Sequence, residues 1–142
     1  MDAFDADVII YAAVPGHALG ERVRGLFDAG AEGDSLHTGI GSVLLLPEIL
    51  SKPMREGRAD AVMRLGVLLS RLQLLPVDAA TAELATALAA SYGLRAVDAV
   101  HLATAVASAA DRFITNNRDD YSKSITEIVV TYPEELPSPF PR

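Results

Sequence analysis

The 142-residue chain contains no cysteine, which excludes disulfides, thiolate nucleophiles and cysteine-held zinc, so any metal must sit on oxygen or histidine. Positive charge is scarce: 12 Lys and Arg stand against 19 Asp and Glu, a formal charge of -7. That balance argues against broad, non-specific adhesion to nucleic acid, yet a carboxylate cluster attracts phosphate once a divalent cation is loaded. Long apolar runs are missing too. No uninterrupted stretch approaches the roughly 18 residues of a membrane span, and Asp2, Asp5 and Asp7 occupy positions that a signal peptide fills with apolar residues. The expectation is a cytoplasmic protein with no membrane segment. With 50% hydrophobic and 22% charged residues, the chain is too apolar to be disordered, and its length suits one domain.

Residues 4–11, Phe4-Asp5-Ala6-Asp7-Val8-Ile9-Ile10-Tyr11, are β-branched and aromatic around two aspartates, which predicts a buried first strand. Leu19, Val23, Leu26 and Phe27 then recur at helical spacing ahead of Gly30 and Gly33. A short strand is expected at 35–38. The apolar segment 42–50 contains Pro47, so a helix either starts near that proline or bends there. Residues 58–72 carry a helical pattern that passes into a short strand at 74–77. Asp78 reads as the N-cap of a helix over 81–92 that Gly93 ends. Residues 97–110 are nearly all alanine, valine and leucine, which predicts a helix packed on several sides. A strand at 112–115, a polar loop at 116–123 and a last strand at 127–131 follow. Four of the eight prolines fall after residue 132, so the expected organisation is one domain over 1–132 with an extended Pro-rich tail over 133–142. Strands alternating with helices imply a parallel sheet covered by helices, with ligands beyond the carboxyl ends of the strands.

Three acids stand where burial is expensive: Asp5 among β-branched residues, Glu48 beside Leu46 and Ile49, and Asp98 in the alanine-rich helix. Unpaired, each costs several kcal/mol, and most Lys and Arg lie on polar faces. Ion pairing explains one such acid more easily than three. A divalent cation compensates all of them if the fold gathers them, and hard cations such as Mg2+ and Mn2+ prefer carboxylate oxygen.

Four segments together carry a resemblance: Asp5-Ala6-Asp7, Pro47-Glu48-Ile49-Leu50, Val97-Asp98-Ala99-Val100-His101-Leu102-Ala103-Thr104-Ala105, and Phe113-Ile114-Thr115-Asn116-Asn117. In this order and at this length the chain resembles the PIN-domain family, and its VapC-type toxin ribonucleases in particular. The resemblance implies a three-layer α/β/α fold with a central, mainly parallel sheet and a Mg2+- or Mn2+-dependent endoribonuclease. It implies RNA phosphodiester cleavage by a metal-activated water, in the toxin of a type II toxin–antitoxin system. Carried over by position, Asp5, Glu48 and Asp98 are the catalytic acids. Asp5 and Asp98 are the main metal ligands, and Glu48 binds a second metal or orients the water. The fourth position departs from the pattern. Many members have Thr-Asn-Asp where this chain has Thr115-Asn116-Asn117, while Asp120-Tyr121 resembles the Asp-Phe ending of others. Asn117 or Asp120 would then contribute, directly or through water, with Thr115 positioning a water or phosphate oxygen. Asp7 stands where the family usually has asparagine. The implied partners are RNA, a cognate antitoxin and a second copy in a homodimer.

Plainer readings stand beside these. Asp5 and Asp98 also suit helix caps, and Glu48 suits a first-turn partner of the helix dipole. Asp7 shares a strand face with Asp5 and either supports the site or caps a helix. His101, three residues after Asp98, reads as a structural hydrogen-bonder outside the site, and Asp119-Asp120 as a solvated turn. The apolar stretch 62–72 suits either an antitoxin surface or the core. Two other functions compete: a PIN-like binding module with weakened catalysis, suggested by the amide at Asn117, and a haloacid-dehalogenase-like phosphatase using Asp5-Ala6-Asp7. The latter expects a lysine before a later acidic pair and a cap insertion, neither of which the sequence clearly offers.

Overall fold

The computed structural model describes residues 1–31 and 36–139. Five strands, β1 (Asp2–Phe4), β2 (Gly39–Ser42), β3 (Leu72–Leu75), β4 (Arg112–Ile114) and β5 (Val129–Thr131), form one sheet in the order β3-β2-β1-β4-β5. Every neighbouring pair is parallel. The helices are α1 (Ala6–Ala12), α2 (Ala18–Ala31), α3 (Leu45–Arg55), α4 (Ala59–Ser70), α5 (Ala79–Tyr92) and α6 (Ala96–Ala107), with a 3-10 turn at Pro133–Glu135.

Strand alternation divides the apolar residues between two layers. Ala3 and Phe113 face one way, packing with Leu88, Leu102, Tyr121 and Val130 under α5 and α6. Phe4 and Ile114 face the other, packing with Val8, Ile9, Val23, Phe27, Leu45, Ile49 and Leu65 under α1 to α4. The α/β/α layering with a parallel sheet therefore stands as read from the sequence, and it brings the carboxyl ends of all five strands to one edge.

Several elements differ from their sequence reading. The first strand stops at Phe4. Asp5 caps α1 by accepting from the Ala6 amide at 2.8 Å, and residues 8–11 are helical. Val8, Ile9, Ala12 and Ala13 are buried at helical spacing, so burial on one face outweighs β propensity. Asp7 therefore lies in the first turn of a helix and shares no strand face with Asp5. α2 can lie close on α1 because its residue 20 is glycine: a Cβ there would stand 2.0 Å from the Tyr11 carbonyl oxygen.

The strand expected at 35–38 falls at Gly39–Ser42; Ser35 lies outside the described residues. β3 ends at Leu75, before Pro76, which cannot donate to a sheet ladder. α3 begins at Leu45, so Pro47 sits in its first turn, where a missing N–H costs nothing. In α4, Leu65, Leu68 and Leu69 enter the core, while Met63 and Val67 stay exposed. Asp78 caps α5, accepting from the Thr81 amide at 2.8 Å, and Gly93 ends that helix with φ 67. Arg95, not Asp98, holds the N-cap position of α6. After β5 the expected extended tail opens with the 3-10 turn. Buried Leu136 follows it, and the Arg22 guanidinium donates to the Leu136 carbonyl at 2.6 Å.

Candidate active site

Three helix N-termini meet at the carboxyl edge of the sheet, and each presents acids. Asp5 caps α1 and Asp7 lies in its first turn, Glu48 lies in the first turn of α3, and Asp98 in the first turn of α6. A helix N-terminus carries partial positive charge, which lowers the cost of keeping carboxylates there. Asp5, Asp7, Glu48 and Asp98 line one open pocket of about 350 Å3 together with Ala6, Tyr11, Asn116 and Asn117.

Asp5 is the most deeply held acid, at 5% exposure. Its Oδ1 accepts from the Ala6 amide and its Oδ2 from the Thr115 hydroxyl, each at 2.8 Å. Thr115 is itself fixed, its hydroxyl oxygen accepting from the Asn117 amide at 3.1 Å and its own amide donating to the Thr131 carbonyl. Burial, then the neighbouring Asp7 charge, pushes the Asp5 carboxyl up to about 7 against the opposing pull of His101 and the two hydrogen bonds. Burial also raises Asp7, whose Oδ2 accepts from the Asn116 amide at 3.0 Å and whose buried Oδ1 has no hydrogen-bond partner. Asp98 is raised by burial and then by Asp120 and Glu48.

The fourth position is shared. The Asn117 side-chain amide donates to Asp120 Oδ2 at 2.8 Å, and its carbonyl oxygen accepts from the Asp120 amide. Asn117 lines the pocket, and Asp120, bonded to it, is close enough for its charge to raise the Asp98 pKa. The loop around them is less polar than its composition suggests, because Tyr121 is fully buried, its ring edge-on to Phe113 and its hydroxyl donating to the Asp98 carbonyl at 2.8 Å.

His101, read from the sequence as a structural hydrogen-bonder outside the site, does not line the pocket but contacts one of its acids. The ring is buried and its Nε2 meets Glu48 Oε2 in a close hydrogen-bonded contact. Burial alone would lower its pKa, but the Glu48 contact and the charges of Asp5, Glu48 and Asp98 raise it above the ordinary imidazole value. The i, i+3 spacing from Asp98 is the signal that places both residues on one helix face. Tyr11 and Asn116 are further pocket residues that sequence reading missed, Tyr11 because its segment read as a strand.

Among the described residues no Lys or Arg forms an ion pair with Asp5, Asp7, Glu48 or Asp98. The oxygen-rich donor set and the unpartnered Asp7 Oδ1 fit a hard divalent cation. Among the described residues no group of three or more His, Asp or Glu is gathered tightly enough to hold an ion as it stands. The fit therefore rests on donor chemistry and position rather than on a finished cage.

The chain is thus a parallel α/β/α domain with acids collected at the carboxyl edge of its sheet. The family model for the PIN domain matches residues 3–124, and the chain belongs to that family. Two solved structures share the fold. A toxin–antitoxin complex from Klebsiella pneumoniae has a chain that aligns with a TM-score of 0.69 at 22% identity, over 96% of this chain and 100% of that one. VapBC2 from Rickettsia felis, bound to a DNA fragment from their promoter, aligns at 0.70 and 19% identity, over 92% and 97%. Comparison with curated proteins finds no match.

Proposed function

We propose that this PIN domain is a metal-dependent endoribonuclease and the toxin of a type II toxin–antitoxin system. The observation that carries the reading is the pocket itself: carboxylates from three helix N-termini converge with no Lys or Arg to balance them among the described residues. Family membership and the toxin–antitoxin neighbours support it.

Asp5 and Asp98 would hold the ion, with Asp7 beside them. Bound Mg2+ or Mn2+ supplies a Lewis acid that makes water nucleophilic near neutral pH and offsets charge on the phosphoryl oxygens. Thr115 and the Ala6 amide fix the Asp5 carboxylate, so its oxygens do not reorganise as charge develops. Glu48, with 36% of its side chain exposed, takes the proton of the attacking water as general base. Asn117, tied to Asp120, presents a neutral polar group where a fourth carboxylate would stand. A second groove lined by Leu44, Pro47, Arg95, Ala96 and Val97 shares Glu48 and Asp98 with the pocket. It gives an RNA strand a path past the site, with Arg95 to meet its phosphates.

The cellular partners in this reading are RNA, an antitoxin that occludes the pocket, and a second copy of the chain. Among the described residues no helix is long and apolar enough to cross a membrane. The test is cleavage of a mixed structured-RNA pool by purified, antitoxin-free protein with Mg2+ or Mn2+, beside Asp5→Asn. Metal-dependent cleavage that vanishes in the variant is the expected result. Absent or equal cleavage would favour the second reading, a PIN-like binding module with weakened catalysis, which the amide at Asn117 favours.

A further inference from the structure

Glu48 has every reason to leave the pocket. Its carboxylate is among like charges, it is partly exposed, and its long side chain keeps rotamer freedom that ordering removes, roughly 1.5–2 kcal/mol for this residue type. Yet it is held, and among the described residues by one group. His101 Nε2 is its hydrogen-bond partner, reaching from α6 on one side of the sheet to α3 on the other.

The imidazole is an unusual buried histidine. Its side chain is 1% exposed and stands on a helix whose Ala99, Leu102, Ala103 and Ala105 are packed into the core. A histidine retained for packing would satisfy both ring nitrogens, but Nδ1 is buried without a hydrogen-bond partner. The only polar contact the ring makes among the described residues is the one to Glu48. That arrangement leaves one buried ring nitrogen without a partner while the other fixes a partly exposed carboxylate.

We propose that His101 is a positioning residue, its rigidly packed imidazole holding the Glu48 carboxylate over the acid pocket. The consequence for turnover rests on the nuclease reading; the contact itself does not. Outer partners that orient a site's acids are typically worth about 10–100-fold in activity or metal affinity. Glutamine can place an amide N–H near the position of Nε2, whereas leucine fills similar volume with no donor.

The experiment compares His101→Leu, His101→Gln, Glu48→Gln and the Leu/Gln double variant, reading Mn2+ affinity and RNA cleavage with melting temperature as the control on folding. His101→Leu should lose about 10–100-fold, and His101→Gln should recover most of that loss. On the Glu48→Gln background, His101→Leu should add less than about twofold, because two residues acting through one contact are not additive. Equal damage from both His101 variants, or losses that multiply, would overturn the proposal. Should the wild type neither bind Mn2+ nor cut RNA, the nuclease reading fails and the imidazole 15N spectrum decides. A His101 Nε2 resonance displaced by Glu48→Gln sustains the contact, and an unmoved resonance overturns it.

Discussion

β1 is three residues long and its two ends treat acid in opposite ways. At the amino edge, Asp2 accepts from Arg112 Nε at 3.0 Å and Nη2 at 2.8 Å, a forked pair, and Asp111 meets the N-terminal ammonium of Met1. That contact holds the Asp111 carboxyl below its ordinary value. At the carboxyl edge, Asp5 has two neutral donors and another carboxylate beside it, and its pKa is pushed up to about 7. One edge pairs its acids with Arg112 and the N-terminal ammonium, and the other has His101 against Glu48 but no Lys or Arg partner among the described residues. The same sheet thus separates acids paired with cations from acids gathered without a Lys or Arg partner among the described residues.

The largest expected effect is on the second group. Asp5→Asn should abolish metal-dependent cleavage, by about 1,000-fold or more if the acid holds the ion. It should leave the fold intact, since the Thr115 hydroxyl can turn to accept from the new amide. Cleavage assays paired with thermal melts check both halves, and a variant that cuts RNA at the wild-type rate would dissolve the contrast between the edges.

A pH series sharpens the same point. With its folded pKa raised to about 7 from an ordinary 3.8, the Asp5 contribution to stability is fully present below about 3.8 and lost as pH rises through 7. In EDTA the melting temperature should therefore fall between pH 5 and pH 8, and fall less in Asp5→Asn. Because cation and proton compete for one carboxylate, activity at fixed, limiting Mg2+ should rise about fivefold between pH 6 and pH 7. A flat profile would place the ion elsewhere.

The alternation of strands and helices was legible in the sequence because each segment carried one hydrophobic period. Residues 8–11 failed that test: Val8, Ile9, Ile10 and Tyr11 suit a strand by type, and only Ala12 and Ala13 complete the helical spacing that burial selects. The acids Asp5, Glu48 and Asp98 were legible because carboxylates are conspicuous in apolar company, and they line one pocket together with Asp7, which the sequence left as either site support or a helix cap. Their partners were not. His101 meets Glu48 across 53 residues, a contact created by sheet order and helix placement that no local pattern encodes. Asn117 and Asp120 were read as rivals for one position, and the loop instead binds them to each other.

A smaller perturbation tests how the carboxyl edge is built. Thr115→Val keeps the β-branched shape and removes the hydroxyl that donates to Asp5 and accepts from Asn117. The expected cost is about 1–2 kcal/mol of stability and roughly tenfold in cleavage. The Thr115 hydrogen bond pulls the Asp5 pKa down, so its loss should move the midpoint of the pH–rate profile upward. A midpoint that stays put would mean that another group controls the profile.

The smallest effect belongs to the amino edge. Asp2→Asn breaks the forked pair with Arg112, but the two side chains are 18% and 34% exposed, so solvent screens much of what is lost. About 1 kcal/mol of stability or less should go, read from denaturant midpoints, with kcat/KM unchanged. Arg112 stands on β4, whose carboxyl end leads into Thr115. A fall in cleavage without a fall in stability would therefore mean that the pair sets the register of β4 against β1 and, through it, the reach of Thr115 to Asp5. The two edges would then be one mechanical unit rather than two separate uses of the same residue type.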